Sequence, residues 1–479
     1  MAEVGASQRL SLRRGAGCHP RSSIDKTPVW RVAGRVSLRL GYPPRGSTHG
    51  EFVGNVFRNK AYRRLWFGQS ISQVGDYLFM TTVALWIGTV LLRDKPYAPA
   101  VTGAYLVIAA AVMVCLAPVA GVFVDRLDKV RVALTADIVR AVASGGFAFL
   151  PWLSHSLPMR LTLTMCGVGV AVQAIASTFF NPARVIIVSD VVPVEKRGQA
   201  ASFAQASSAI AMIAGPMLAS LIFVAAGPAV GFIFNAVSFA CSFVAIRIAS
   251  IPVAADSPVA RERKKQFGKE LLEPLRLIGR DRVLRTVLGA GVIVMLGAST
   301  INSLNVYFVL ENLHADPIWF GVISASLGAG LLVGSIGTGF LGERVGYERL
   351  LASGLLVGGL ACLIYARLGS AVAAAMLIFL YGLAGGMVET VMSPLVLGAV
   401  RREYLGRVLS VFTPALRLSS VISLGAAGWL VSLMPVGYRF QVLGISFGRI
   451  DTVFVMAAVM FLLSSLYAFT ALQRPASGP

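Results

Sequence analysis

From residue 65 onward the chain alternates long apolar runs with short polar breaks. Crossing a bilayer as a helix takes about 20 mainly apolar residues, roughly 17–25. Twelve runs reach that length, near 65–92, 99–121, 131–152, 160–182, 199–226, 229–250, 283–310, 318–341, 349–368, 371–397, 406–434 and 450–472. Small residues punctuate them, as in Gly328-Ala329-Gly330 and Ala384-Gly385-Gly386. Such strings weaken helices in water but let helices approach closely in lipid. The pattern predicts an all-α polytopic membrane protein with twelve transmembrane helices. The longest polar interruption, 251–282, falls between runs six and seven and divides them into two six-helix bundles.

The domain plan follows. Residues 1–56 form a basic tail with no apolar core segment, so a secretory signal is excluded and a disordered cytoplasmic tail is expected. An organellar transit peptide and a non-functional upstream extension are the alternatives. Residues 57–250 make the first bundle and 283–472 the second, with a short tail over 473–479. Within the linker 251–282, Phe267, Leu271, Leu275 and Ile278 recur at helical spacing among Lys and Arg, as in a helix lying on a membrane surface.

Composition agrees. Charged residues are 14% and hydrophobic ones 56% of the chain, with mean hydropathy +0.74. A soluble chain carries roughly 25% charge, so a conventional soluble enzyme is excluded. The net charge of +21 would suggest nucleic acid in a soluble protein. Here it follows from Lys and Arg collecting in cytoplasmic loops, and no nucleic-acid partner is expected. Only Arg93, Lys95, Arg160, Arg367, Arg439 and Arg449 fall in the outer loops of a topology with both termini cytoplasmic. That count predicts a multi-pass protein of a plasma, bacterial inner, membrane. The five cysteines and four histidines show no metal-ligand spacing, so neither a metal nor a cofactor is expected. No phosphate-cradling G-x-x-x-x-G-K-[ST] and no nucleophile–base pair occurs, so the chain is not expected to be an enzyme.

An internal repeat is more specific. The break after run two reads Gly121, Asp125, Arg126, Arg131. The break after run eight reads Gly339, Glu343, Arg344, Arg349, with identical internal spacing. Asn181-Pro182 near the end of run four is echoed by Ser393-Pro394 in run ten. Such self-similarity marks transporters built from repeats. The loop resembles the signature loop of the major facilitator superfamily, and two copies at corresponding places strengthen the likeness. Gly68-Gln-Ser-Ile-Ser-Gln-Val-Gly-Asp76, Ala136-Asp137-Ile-Val-Arg140 and Asn181-Pro-Ala-Arg184 are similar to its macrolide-efflux and enterobactin-exporter branch. The resemblance covers about residues 57–472. It implies the major facilitator fold, pseudo-symmetric bundles, a cavity surrounded by helices one, four, seven and ten with five and eleven also facing it, and a cytoplasmic gate latched by Gly121, Asp125, Arg126, Arg131, Gly339, Glu343, Arg344 and Arg349. Gly215-Pro216 keeps part of the superfamily's helix-five antiporter motif, and a bend is expected there.

Ionisable groups inside spans are costly, about 2.5–3.5 kcal/mol each. Asp76 lies ~18 Å beyond Arg64 along a helix, Glu389 ~18 Å before Arg401, and Arg417 ~15 Å beyond Arg407. All three therefore fall near the midplane of a ~30 Å hydrocarbon core. Gln69, Ser72, Gln73 and Asp76 share one helix face. They either line the aqueous cavity or form a polar seam against a neighbouring helix. Asn302 and Asn305 offer polar groups from helix seven. Glu389 and Arg417 either act in transport or form a permanent structural pair. Asp137 and Arg140 are expected to make a structural i, i+3 contact.

The expectation is a secondary active transporter, a proton-coupled exporter of an amphipathic small molecule such as a drug, macrolide or siderophore. A transporter of lysophospholipid or a polar metabolite, and a non-transporting membrane receptor, are the alternatives. The expected partners are the lipid bilayer, a small-molecule substrate and protons as coupling ion, with the chain acting as a monomer.

Overall fold

The computed structural model describes residues 56–249, 278–279, 281–400, 402–435, 437–442 and 445–473. The basic tail and most of the 251–282 linker, with its expected amphipathic helix, lie outside the described residues. Among the described residues twelve helices are long and apolar enough to cross a membrane. They are α1 Lys60–Trp86, α2 Ala98–Arg126, α3 Lys129–Leu153, α4 Met159–Val191, α5 Arg197–Ala226, α6 Pro228–Ile248, α7 Arg282–Tyr307, α8 Ile318–Val345, α9 Tyr347–Tyr365, α10 Ala371–Ala399, α11 Arg402–Leu433 and α12 Arg449–Gln473. Between α11 and α12 lies a short antiparallel pair, β1 Phe440–Val442 and β2 Ile445–Phe447, where the sequence reading expects only a loop.

Local chemistry sets several ends. Asn59 caps α1 by accepting from the amides of Ala61 and Tyr62; Asp128 caps α3 and Asp281 caps α7 in the same way. Such caps satisfy amides the first turn leaves unpaired. Both α1 and α7 end in a π-turn, Ile87–Leu91 and Phe308–Asn312. One expectation fails at α4. Its apolar pattern ends at Asn181-Pro182, but the helix runs through Pro182 to Val191. Proline lacks one amide, and neighbouring groups in a helical membrane protein can compensate for that loss.

The helix pairings repeat. In the first half α1 packs on α5 and α6, α3 on α4 and α6, and α2 on α4. In the second, α7 packs on α11 and α12, α9 on α10 and α12, and α8 on α10. Adding six to each label converts one set into the other. Aromatic triads repeat too. Phe79, Phe147 and Phe232 join α1, α3 and α6 with ring centroids 4.9–5.5 Å apart. Phe308, Tyr365 and Phe454 join α7, α9 and α12 at 4.5–5.9 Å.

The halves meet through α2 on α11 and α5 on α8, which the same symmetry exchanges. We name the end bearing the α2–α3 and α8–α9 loops the basic face, and the opposite end the far face. Contacts between the halves gather toward the far face. The larger hydrophobic core runs through the second half from end to end and takes in the first half only on the far-face side, whereas a second core at the basic face is built from the first half alone. The cleft between the halves therefore opens toward the basic face.

Candidate functional site

Four ionisable side chains come together in the first half. Asp137 and Arg140, one turn apart on α3, form the expected ion pair, and both are fully buried at 0% and 2% exposure. The Arg140 guanidinium lies between two rings, 3.8 Å from the centroid of Phe180 on α4 and 4.4 Å from that of Phe239 on α6. A ring face attracts a cation electrostatically, more strongly once water is removed. Asp76 on α1 and Arg184 on α4, both partly buried, lie within electrostatic reach of this pair and of each other. With both acids ionised the group of four is neutral. Beside it, the Ser144 hydroxyl accepts from Gln173 Nε2 at 2.7 Å and from Asn235 Nδ2 at 2.9 Å.

The polar stripe on α1 divides. Gln69 and Ser72 are buried at 8% and 3%, which is the seam alternative. Gln73 and Asp76 remain partly open. Arg184 is the residue that sequence reasoning missed. An apolar run ending at Pro182 places Arg184 just beyond helix four, in the break that follows. One further turn of apolar residues, Val185, Ile186, Ile187 and Val188, carries the signal for it.

In the second half, Glu389 of α10 and Asn302 of α7 are exposed and line a common cavity of about 130 Å³. Arg417 is also exposed. It lies on the face of α11 that carries Leu424 and Gly428 farther along, and these press on Gly103 and Pro99 of α2. Arg417 thus sits just below the contact between the halves. Among the described residues no ion pair joins Glu389 to Arg417, so the permanent pair is not formed. Asn305 departs from the cavity reading. It is 3% exposed and accepts a 2.6 Å hydrogen bond from the Tyr365 hydroxyl on α9. Three residues carry it about 60° around α7 from Asn302, into the bundle interior. Ser299 and Ser420, 2.6 Å apart, close the seam between α7 and α11.

The signature loops lie at the open, basic face. Arg126, Arg131, Arg344 and Arg349 are exposed, and Arg131 pairs locally with Asp128 at 3.4 Å. The side chains of Asp125 and Glu343 lie outside the described ones. Gly121 and Gly339 sit inside α2 and α8, and a Cβ on either would meet nothing within 4 Å. The turn between α8 and α9 is made instead by Gly346, whose φ of +93° suits glycine. In α5 the helix is unbroken through Pro216. A Cβ on Gly215 would stand 2.4 Å from that of Tyr77, so this glycine marks a close crossing with α1.

The far face is sealed by polar contacts. The hydroxyls of Thr102 and Tyr307 share a buried 2.6 Å hydrogen bond, and the Ala100 amide donates to Ser432 at 3.0 Å. Arg449 holds Glu311 with two hydrogen bonds and reaches the Pro96 carbonyl across the halves at 3.4 Å. Among the described residues no cluster of His, Cys, Asp and Glu could hold a metal.

A family model described as transmembrane secretion effector matches residues 55–470. The chain belongs to the major facilitator superfamily. The matched family is one of transporters rather than of enzymes, and the chain is a multi-pass membrane efflux transporter of the facilitator type. Macrolide efflux protein A of Streptococcus pyogenes is 21% identical over 401 residues, covering 81% of this chain and 94% of that protein. The multidrug efflux pump Tap of Mycobacterium bovis is 23% identical over 341 residues, covering 68% and 78%. Among solved structures, a bacterial homologue of the iron transporter ferroportin in an inward-facing state superposes with a TM-score of 0.67 at 15% identity, over 87% of this chain and 99% of that one. At that identity the likeness shows the shared fold alone.

Proposed function

We propose that the chain is a secondary active exporter of an amphipathic small molecule, driven by protons moving inward across a bacterial inner membrane. The basic face is the cytoplasmic face in this reading, by the excess of Lys and Arg in its loops. Macrolide and multidrug export by the relatives supports the direction and the substrate class.

The observation that carries the coupling is the partly open Asp76 beside the buried Asp137–Arg140 pair and Arg184. A proton arriving on Asp76 turns a neutral group into one of net charge +1. Arg184, within electrostatic reach of Asp76, then loses that counter-charge. In a low-dielectric bundle that change favours a different arrangement of α1 against α4. The membrane potential acts on the same charge with ~2.3 kcal/mol per 100 mV. Arg140, fixed between two rings, keeps the field at Asp76 constant through the cycle.

The test is pH-gradient-driven flux of a macrolide and dye panel in proteoliposomes, with Asp76→Asn beside the wild type. The variant is expected to lose gradient-driven movement while retaining downhill exchange. Gradient-driven flux unchanged in Asp76→Asn would remove the proton role from this residue.

A further inference from the structure

The cavity beside Glu389 is too small for a whole drug-sized molecule, since pockets for such ligands run roughly 300–1,000 Å³. Its volume of about 130 Å³ is close to the roughly 150 Å³ of an apolar cavity that holds one benzene. Met295, Leu331, Tyr381 and Phe461 form apolar walls, and Glu389 with the Asn302 amide supplies the polar edge. The space is not forced by packing. A Cβ on Gly358, which lines it, would meet only the Cβ of Ala384, at an ordinary 3.6 Å. Glu389 is exposed, and among the described residues no Lys, Arg or His forms an ion pair with it.

A lone carboxylate at the edge of a benzene-sized apolar hole is complementary to a cation carrying one compact apolar group. We propose that this cavity is a subsite for a protonated or quaternary amine, which Glu389 binds, while a phenyl or branched alkyl substituent enters between α7, α8 and α10. The Asn302 carbonyl oxygen accepts from the ammonium where it carries a hydrogen. The proposal rests on the exporter reading and narrows its substrates to basic amphiphiles. Selectivity by size follows, because a fused two-ring substituent exceeds the hole.

Binding of benzyltrimethylammonium and of (1-naphthylmethyl)trimethylammonium is measured by calorimetry on the full chain in nanodiscs of zwitterionic lipid, with no ion gradient. Wild type is expected to bind the benzyl probe more tightly than the naphthyl one. Glu389→Gln is expected to weaken the benzyl probe about tenfold or more, as loss of a charge-assisted contact should. Glu389→Asp, which keeps the charge, recovers part of that loss. Gly358→Ala is expected to weaken the benzyl probe severalfold by occupying the hole. Benzyl affinity unchanged in Glu389→Gln overturns the proposal, and so does naphthyl binding as tight as benzyl. Absence of binding to wild type at millimolar probe also overturns it. Thermal unfolding of each variant separates misfolding from lost binding. Since no gradient is applied, failed flux with intact, selective binding counts against the exporter reading alone, and intact flux without selective binding counts against the subsite alone.

Discussion

The two halves of this transporter share a scaffold and differ in chemistry. Their helices pair in the same pattern, their first helices end in the same π-turn, and their aromatic triads fall on corresponding helices. At mid-depth the first half holds Asp76, Asp137, Arg140 and Arg184 as one charge-balanced group, half of it completely buried. The second half presents Glu389 and Arg417 exposed and unpaired with each other, with Glu389 at the edge of a cavity. Packing, which repeats, fixes the fold. The ionisable residues of the loops repeat, but those within the spans do not, and the latter leave one half with fixed charge and the other with exposed charge.

The sharpest way to break that comparison is to remove one charge from each half. Arg140→Met leaves Asp137 buried without its partner, and breaking a buried pair costs about 3–5 kcal/mol. Unfolding of the purified protein in detergent should register that loss. Asp137→Asn combined with Arg140→Met should recover much of it, because no buried charge is then orphaned. Arg417→Gln should change stability by only about 0.5 kcal/mol, as an exposed side chain without a partner does. Equal losses in Arg140→Met and Arg417→Gln would erase the distinction between fixed and exposed charge.

A smaller effect separates a tight crossing in the second half from an open helix face in the first. In the second half α8 and α10 interlock through glycines: a Cβ on Gly334 would stand 2.0 Å from the Leu383 carbonyl, and one on Gly386 2.2 Å from that of Leu331. In the first half, Gly145 and Gly146 of α3 have nothing within 4 Å. Gly334→Ala should therefore destabilise by about 1–3 kcal/mol through overpacking against backbone. Gly145→Ala should be neutral or stabilising by up to about 1 kcal/mol, since alanine is the better helix former. Comparable midpoints for the two variants would show that the helices part easily at the α8–α10 contact.

The fold was legible because lipid leaves the backbone no alternative to continuous helices, so each run from Leu65 to the region of Ala471 announced itself. Of the candidate site, depth along the helix marks Asp76, Glu389 and Arg417 in the sequence. Depth says nothing of rotation about the helix axis, so the sequence does not separate Asn302 from Asn305, which the Tyr365 hydroxyl holds in the interior. Arg184 is hidden by an ordinary rule, that proline ends helices, which packing overrides at Pro182. The sandwich around Arg140 joins residues 40 and 99 positions away, Phe180 and Phe239, and no local pattern encodes it.

A third experiment tests the seal that the halves share. Tyr307→Phe deletes one hydroxyl and with it the bond to Thr102. Losing one hydrogen bond costs about 1 kcal/mol, or roughly fivefold in an equilibrium between states. A cysteine introduced at the buried Ser303 should then react with a membrane-impermeant reagent from the far face several times faster. Unchanged reactivity would mean that the Arg449–Glu311–Pro96 contacts hold the seal without Tyr307.

The least costly substitution bears on the signature loops. Gly121 and Gly339 occupy corresponding places in the two halves, inside helices, with room for a methyl group at each. In the conformation open at the basic face, nothing requires them to be glycine. If the loops latch that face when it closes, the close approach belongs to the opposite conformation. Gly121→Ala should then leave unfolding within about 0.5 kcal/mol of wild type yet enrich the form open at the basic face. The gain should show as longer distances between spin labels placed on the α2–α3 and α8–α9 loops. Gly145→Ala, equally unhindered but away from the loops, should leave those distances alone. Were Gly121→Ala to leave them alone as well, the glycine would have no part in closing the gate, and the repeated motif would act through its charges only.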